Sequence, residues 1–573
     1  MPNRSSIKTV RSFCAIGISL WSFACSEPPR PIVSPQPLPL KFSGERALAI
    51  ETEFVSRFPY RSSGMPNNRR AAQWIQAWFD SLGWRTYLQK WQIINYSRPV
   101  ALQNVVCELP GRSDRKILVV AHHDQSPATI QGADNDGSGI AIMLHLAEIF
   151  SAEGPPEHTL IFVSTDAEEY GMIGTKHYLD TADDHETIIA GISLDNLGKR
   201  FYNGIGMSPV GQFRGYGALW LQLLAREAAQ KHPGLWVPQL RPALFQILDQ
   251  AVPVSFMDQG PMVAAGIPAL GFRGITPPEW LEMRWKTYHS PEDLLKYQSA
   301  ETLQQAGAVT EVLIRDLLRR RDFPPAHGPY LYFDASGTWL TGAPLWALFV
   351  ILVALYFIAA FARSGGVSRS TFAAWRQFAP HFLAWWLPLV AGIVLLYGLV
   401  AIGLMDRYHL YPATSKDPAL FHPRWPAVIL FLLSLAMLLI LAHRLRRRWA
   451  PGTLQVNTGQ RVGFGMSVVG LAAVYVLLIN PFSLLLMLPT LAWAWIGRRR
   501  GPTGIVDALL FLAGGAMLYL LIYFFGFVIL RNDFAILWYV MMMFSIGMIA
   551  FPTALAITAI LAAGLAMMFG REA

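Results

Sequence analysis

Apolar positions follow two regimes along this chain. Up to about residue 330 they come as short runs and helical stripes set among charges; from about Leu345 onward they form long runs separated by short basic or Pro-containing loops. In the first regime, Ala71, Trp74, Ile75, Trp78, Phe79 and Leu82 recur at helical spacing and predict an amphipathic helix over Asn67–Trp84. Lys116–Ala121, Thr159–Thr165, Ile188–Leu194 and Pro268–Phe272 are short continuous apolar runs, the pattern of strands buried on both faces. Ser138–Phe150 and Glu301–Arg320 read as helices. Strands alternating with helices predict an α/β domain built on a mostly parallel sheet covered by helices on both faces.

The second regime predicts an all-α polytopic membrane domain, because runs of about 18 or more apolar residues suit a bilayer-spanning helix. The expected spans cover roughly 342–362, 382–405, 426–442, 464–480, 482–497, 505–530, 534–550 and 552–569, seven or eight in all according to whether Pro552 breaks the last stretch.

Charge then sets the topology. The chain carries 47 Lys and Arg against 38 Asp and Glu, a balance that invites a nucleic-acid reading. The cations instead collect in alternate loops between spans: Arg363, Arg369 and Arg376; Arg444, Arg446, Arg447, Arg448 and Arg461; Arg498, Arg499 and Arg500. This positive-inside pattern makes those loops cytoplasmic and puts residues 1–340 on the periplasmic or extracellular side of a bacterial-type inner membrane or its equivalent. No nucleic-acid partner is needed to explain it. The N-terminus agrees. Arg4, Lys8 and Arg11 precede an apolar stretch from Ser12 to Ala24, the layout of a secretory signal. Whether Cys25 is lipidated, or the segment is cleaved or kept as an anchor, stays open. Of three cysteines only Cys107 lies in the exported part, which is therefore expected to hold no disulfide. The expected organisation is a signal at 1–25, a Pro-rich linker at 26–44, a catalytic domain at 45–325, a linker at 326–341 and a membrane domain at 342–573.

Five segments of the first regime carry chemistry: A-H-H-D at Ala121–Asp124, G-A-D-N-D-G-S-G at Gly132–Gly139, D-A-E-E at Asp166–Glu169, L-D-N at Leu194–Asn196 and Y-H-S-P-E-D at Tyr288–Asp293. Three fall at the ends of predicted strands, where open α/β sheets place their sites. His122 and His123 alternate faces in a strand, so only one can face the site. His122 is preferred, since Asp124 shares its face and could accept its other ring N–H. Of the adjacent Glu168 and Glu169, one could bind a metal while the other takes the proton of an attacking water. Asp195 and His289 complete a set of imidazoles and carboxylates without thiolate, which suits a hydrolytic zinc better than a structural one.

These segments, together with Q-N-V-V-C-E-L-P-G at Gln103–Gly111 and M-D-Q-G-P-M-V-A-A-G-I-P-A at Met257–Ala269, resemble metallopeptidase family twenty-eight over roughly residues 45–320. The resemblance implies a zinc-aminopeptidase-like α/β fold around a mixed sheet. It implies that His122 and Asp195 hold one zinc and Glu169 and His289 the other, with Glu168 as general base and Asp124 orienting His122. One position departs from the family pattern: Asn135 stands where an aspartate bridges both zincs. Three outcomes stay open, namely a loop shift that presents Asp134 or Asp136, a single-zinc site, or a degraded site. Gln259, where the family often has His, is a smaller departure.

The resulting expectation is a membrane-embedded zinc exopeptidase, foremost an aminopeptidase, with peptides as substrates and membrane lipid as surroundings. The alternatives are a glutaminyl-cyclase-like or carboxypeptidase activity, or a peptide-binding protein that has lost catalysis. Ionisable residues are nearly absent from the expected spans, so the membrane half carries no charge chain of the transporter kind.

Overall fold

A computed structural model describes residues 39–95, 98–182, 185–324, 328–406, 423–449, 458–485 and 549–569, with a few isolated positions besides. The expected signal, the lipidation point at Cys25, most of the expected span at 482–497 and the expected spans at 505–530 and 534–550 lie outside those residues, apart from isolated positions. The chain divides into two units, one of Met1–Ile93 with Pro99–Leu345, the other of Ile94–Arg98 with Trp346–Ala573.

The first unit runs α1 (Gly44–Arg57), α2 (Pro66–Ser81), β1 (Arg85–Asn95), β2 (Arg98–Leu109), β3 (Ser113–His122), α3 (Ser138–Ser151), β4 (His158–Thr165), α4 (Ile173–Thr181) and β5 (Ile188–Leu194). It continues with β6 (Ile205–Ser208), α5 (Leu219–Gln230), α6 (Ala243–Ala251), α7 (Gln259–Ala264), β7 (Ala269–Gly274), α8 (Leu281–Thr287), α9 (Ala300–Arg319), β8 (Tyr330–Phe333) and β9 (Thr338–Thr341). Seven strands form one sheet in the order β1-β2-β4-β3-β5-β7-β6. The inner four are parallel, whereas β2 joins β4 and β6 joins β7 antiparallel. The sheet is thus mixed and mostly parallel.

Alternation along the strands builds two cores. Ile117, Val119 and Ala121 of β3 face a large cluster with α1, α3, α5 and α9, while Leu118 and Val120 face a smaller one with Tyr178, Leu179, Met262 and Val263. Each fully buried side chain of Leu, Ile or Val size contributes roughly 1.5–3 kcal/mol. Ser43 caps α1 by accepting from Arg46 N–H, and Ser299 caps α9 by accepting from Thr302 N–H.

β1 and β2 were not expected from apolar runs. β1 is a half-exposed edge strand and the first residues of β2 are solvated, so neither shows the continuous apolar signal of a central strand. The stretch expected as a linker at 326–341 instead contains the β8–β9 hairpin. Its Tyr330, Tyr332 and Trp339 pack on Val210, Tyr216, Leu219 and Leu223. Gln246 and Gln250 of α6 bond the hairpin backbone at Tyr332 and Tyr330. Alternating aromatic residues supply a buried face that composition alone did not reveal.

Among the described residues of the second unit, four helices are long and apolar enough to cross a membrane: Gly342–Arg363, Arg369–Ala401, Trp425–Arg444 and Gly459–Ile479. The second begins well before the expected 382, since Ser368 caps it by accepting from Thr371 N–H. A shorter apolar helix lies at Phe551–Ala566.

Candidate active site

Strand register gathers the motifs. His122 pairs with Thr165 at the ends of β3 and β4, and Val120 pairs with Ser193 on β5. The segments after these strands, Asp166–Glu169 and Asp195, therefore emerge side by side with His122 at the carboxyl edge of the sheet. Three residues there adopt left-handed backbone that costs a non-glycine residue energy: Ala167 (φ 62°), Asn196 (φ 57°) and His289 (φ 46°). Ala167 directly precedes Glu168, and Asn196 directly follows Asp195, so the strain falls where the chain must turn to aim a side chain.

His122 faces the site through Nε2, which lies 3.8 Å from Glu168 Oε2 and 3.9 Å from Asp195 Oδ1. Its Nδ1 faces Asp124, 3.2 Å from the backbone carbonyl and 3.4 Å from Oδ1. His123 points to the opposite face of the strand, where Nδ1 meets Ser164 Oγ at 2.9 Å. His289 Nε2 stands 3.0 Å from Glu169 Oε2, with the Tyr288 ring stacked on its imidazole at 3.8 Å.

Between these two groups sits Asn135. Its Oδ1 is 3.0 Å from His122 Nε2, and its Nδ2 donates to Glu169 Oε1 at 2.7 Å and meets His289 Nε2 at 2.9 Å. Asp134 and Asp136 do not take this place. Asp134 accepts from Gly198 N–H and the Tyr202 hydroxyl, at 2.9 and 2.6 Å, and pairs with Lys199 at 3.3 Å. Asp136 accepts from the backbone N–H of His122 and of Gly139. Neither neighbouring aspartate therefore turns toward His122, Glu169 and His289: both carboxylates already serve buried donors that would otherwise go unpaired.

The supporting shell was only partly legible. Asp124 also accepts from the N–H groups of Glu168 and Glu169 and from Ser63, so it fixes the acidic turn as well as the imidazole. Asp293, the last residue of its motif, accepts from the N–H groups of Asp134 and Asn135. Arg61, fully buried, donates to the carbonyls of Gln131 and Gly132 and to Gln125. Asp166 accepts from Ser63, Asn68 and the Gln103 N–H. Asp258 accepts from the hydroxyls of Thr165 and Thr175. Gln259 turns to Ser208, Ser255 and the Val210 carbonyl. Arg61 and Ser63 lie in a turn-rich stretch without any motif, and nothing in the sequence singled them out.

Electrostatics here follow from burial and crowding. Burial pushes the Glu168 carboxyl well above the usual carboxylate range, and Asp195, Asp258 and Glu169 add to the rise. Burial opposes a charge on His122, but Glu168, Asp124 and Asp195 outweigh it and raise its pKa. Burial likewise opposes the Asp124 carboxylate, and His122 outweighs that and holds it below the ordinary value. Asp166 is pushed up to about 7 by burial and by Asp124.

The donor set suits a divalent cation that accepts imidazole nitrogen and carboxylate oxygen. Among the described residues, no three His, Cys, Asp or Glu side chains form a metal cage by themselves. The His122–Asp195 and Glu169–His289 groups stand on the two sides of the Asn135 amide.

An α/β domain that gathers imidazoles and carboxylates at the carboxyl edge of a parallel sheet is of the metallohydrolase class. Residues 104–314 match the model of Peptidase family M28. The chain is 28% identical over 204 residues to the alkaline phosphatase isozyme conversion protein of Escherichia coli K12, covering 31% of this chain and 57% of that protein. It is 28% identical over 212 residues to aminopeptidase YwaD of Bacillus subtilis, covering 36% and 42%. It is also 34% identical over 79 residues to a vacuolar membrane protease of Vanderwaltozyma polyspora, covering 13% and 8%. The chain spans about half the length of the first two relatives. Among solved structures, a zinc aminopeptidase from Bacillus subtilis aligns with a TM-score of 0.42 at 16% identity, over 49% of this chain and 96% of that one. An Acidobacteriales glutaminyl cyclase aligns with a TM-score of 0.42 at 21% identity, over 51% and 100%.

Proposed function

We propose that this protein is a membrane-embedded, zinc-dependent exopeptidase, an aminopeptidase acting on peptides on the periplasmic or extracellular side. The observation that carries the reading is the placement of Glu168. Its carboxylate lies 3.8 Å from His122 Nε2, on the same side as Asp195, where a general base must stand relative to a metal ligand. The aminopeptidase among its relatives supports the reaction class, and the basic alternate loops support the side of the membrane.

In this reading His122, Asp195, Glu169, His289 and Asn135 are the residues available to hold zinc. When bound, zinc polarises a carbonyl and makes water more acidic. Glu168 takes the proton of the attacking water and returns it to the leaving amine. Burial raises the affinity of the Glu168 carboxylate for that proton. Asp124 keeps His122 in one tautomer and, through the N–H groups of Glu168 and Glu169, keeps the base in place.

Purified full-length protein in detergent, supplied with zinc, is expected to hydrolyse a leucyl chromogenic substrate and to leave its N-acetylated form intact. Hydrolysis of the blocked form alone would reject the aminopeptidase reading in favour of other acyl chemistry. Zinc binding without turnover of any peptide in a broad panel would favour the binding-only reading, which Asn135 also suggests. Protease accessibility of the domain in right-side-out and inverted vesicles tests the assigned side.

A further inference from the structure

We propose that Asn135 makes this a one-cation site, with the cation on the His122–Asp195 side and the Glu169–His289 pair closed by the amide N–H groups of Asn135. The proposal rests on the zinc reading above and specifies which half of the cradle keeps its metal.

The amide has two unlike ends, and its surroundings dictate which way it turns. A carboxylate oxygen only accepts, so the end of Asn135 that lies 2.7 Å from Glu169 Oε1 must be the N–H2. The same nitrogen lies 2.9 Å from His289 Nε2, which accepts when that imidazole carries its proton on Nδ1. Turning the amide over would set its carbonyl oxygen against the Glu169 carboxylate, two acceptors face to face. An amide N–H2 has no lone pair to give a cation, and its protons sit where a cation shared by Glu169 and His289 would be drawn. On this side the side chain of Asn135 takes the part of the positive charge.

The other end behaves in the opposite way. Oδ1 lies 3.0 Å from His122 Nε2, whose Nδ1 faces the Asp124 carbonyl and carboxylate. His122 Nε2 and Asn135 Oδ1 converge at 3.0 Å, and a cation that takes the place of a proton on Nε2 would be held by both. Asp195 Oδ1 lies 3.9 Å from the same nitrogen and supplies the charge. Asn196 Nδ2 donates to Asp195 Oδ1 and, at 3.4 Å, to Asn135 Oδ1, and so ties these two oxygens together. Glu168 flanks this half as well, which keeps the base beside the retained cation.

Charge argues the same way. Two dications held side by side need a shared anion between them, and Asn135 supplies none. The two nearest aspartates are committed elsewhere, Asp134 to Lys199, Tyr202 and Gly198, and Asp136 to backbone N–H groups of His122 and Gly139.

The test is a metal count that does not depend on activity. Full-length protein is stripped with a chelator, loaded with zinc, desalted and measured by elemental analysis, with calorimetric titration alongside. Wild type is expected to hold one zinc per chain and N135D two. H289A is expected to keep one zinc, and H122A to lose it. Two zincs in wild type, or a single zinc lost in H289A and kept in H122A, would overturn the proposal while leaving the zinc reading intact. No zinc in either wild type or N135D would overturn both. Thermal melting of each variant in the stripped state shows whether a lost zinc reflects a lost ligand or a lost fold, and H122Q gives a second, less disruptive removal of the imidazole.

Discussion

Lys199 Nζ lies 3.3 Å from Asp134 Oδ2, and both side chains are buried. The pair sits beneath the loop that carries Asn135, joined by Tyr202 and by Asp293, whose carboxylate lies 3.8 Å from Lys199. This pairing explains why Asp134, next to Asn135, does not turn toward His122 and Glu169.

Removing the cation from this pair leaves Asp134 with only the Tyr202 hydroxyl and the Gly198 N–H. K199M is therefore expected to destabilise the domain by about 3 kcal/mol, the lower part of the range for breaking a buried ion pair. Thermal or denaturant unfolding measures it. A loss below about 0.5 kcal/mol, the scale of an ordinary surface change, would show that the pair does not hold the loop.

Glu168 is assigned the proton transfers. E168Q removes the base with little change of shape, and is expected to lower kcat by about 100- to 10,000-fold while leaving bound zinc unchanged. Elemental analysis and steady-state kinetics on the same preparation separate the two effects. Retained turnover would remove Glu168 from its role.

At Gly139 a Cβ would lie 2.3 Å from Asp136 Oδ2 and 2.4 Å from Oδ1. Asp136 is buried and accepts the His122 backbone N–H, so it has little room to withdraw. G139A is expected to cost about 1–3 kcal/mol through overpacking and to weaken zinc binding by displacing His122. At Gly328 a Cβ meets nothing within 4 Å, and G328A serves as the neutral control in the same melting assay.

Acid stability has a separate source. Glu153 takes two charge-assisted bonds from Arg315 and one from Lys41, and Arg315 first among these holds its carboxyl down at about 2. A depressed carboxyl stabilises the fold above its ordinary pKa and loses that contribution as pH falls toward the folded value. The difference in melting temperature between wild type and E153Q is thus expected to be constant from pH 7 to about 4.5, then to shrink and vanish near pH 2. A difference that grows on acidification would refute the pairing.

Much of this protein could be read directly from residue order. The central strands were visible because strands buried on both faces carry unbroken apolar runs: Ile188–Leu194 coincides with β5, and the runs at β3 and β4 fall within a residue or a few of their ends. Long apolar stretches likewise announced the four described membrane-length helices. Edge strands and the β8–β9 hairpin escaped, since half-solvated or aromatic alternation resembles loop composition.

By itself, the sequence determined which residue types reach the carboxyl edge of the sheet. Period and burial are local properties, and His122, Glu168, Glu169 and Asp195 sit at or just past strand ends. Only the tertiary structure decided what the D-N-D triplet does. Asp134 is claimed by Lys199 and Tyr202, and Asp136 by the backbone of His122. Of the three, Asn135 reaches His122, Glu169 and His289, through contacts 13, 34 and 154 residues away in the chain. Which of three neighbouring polar side chains turns toward a site depends on donors and acceptors supplied by distant segments, and local sequence carries no record of where folding will bring them.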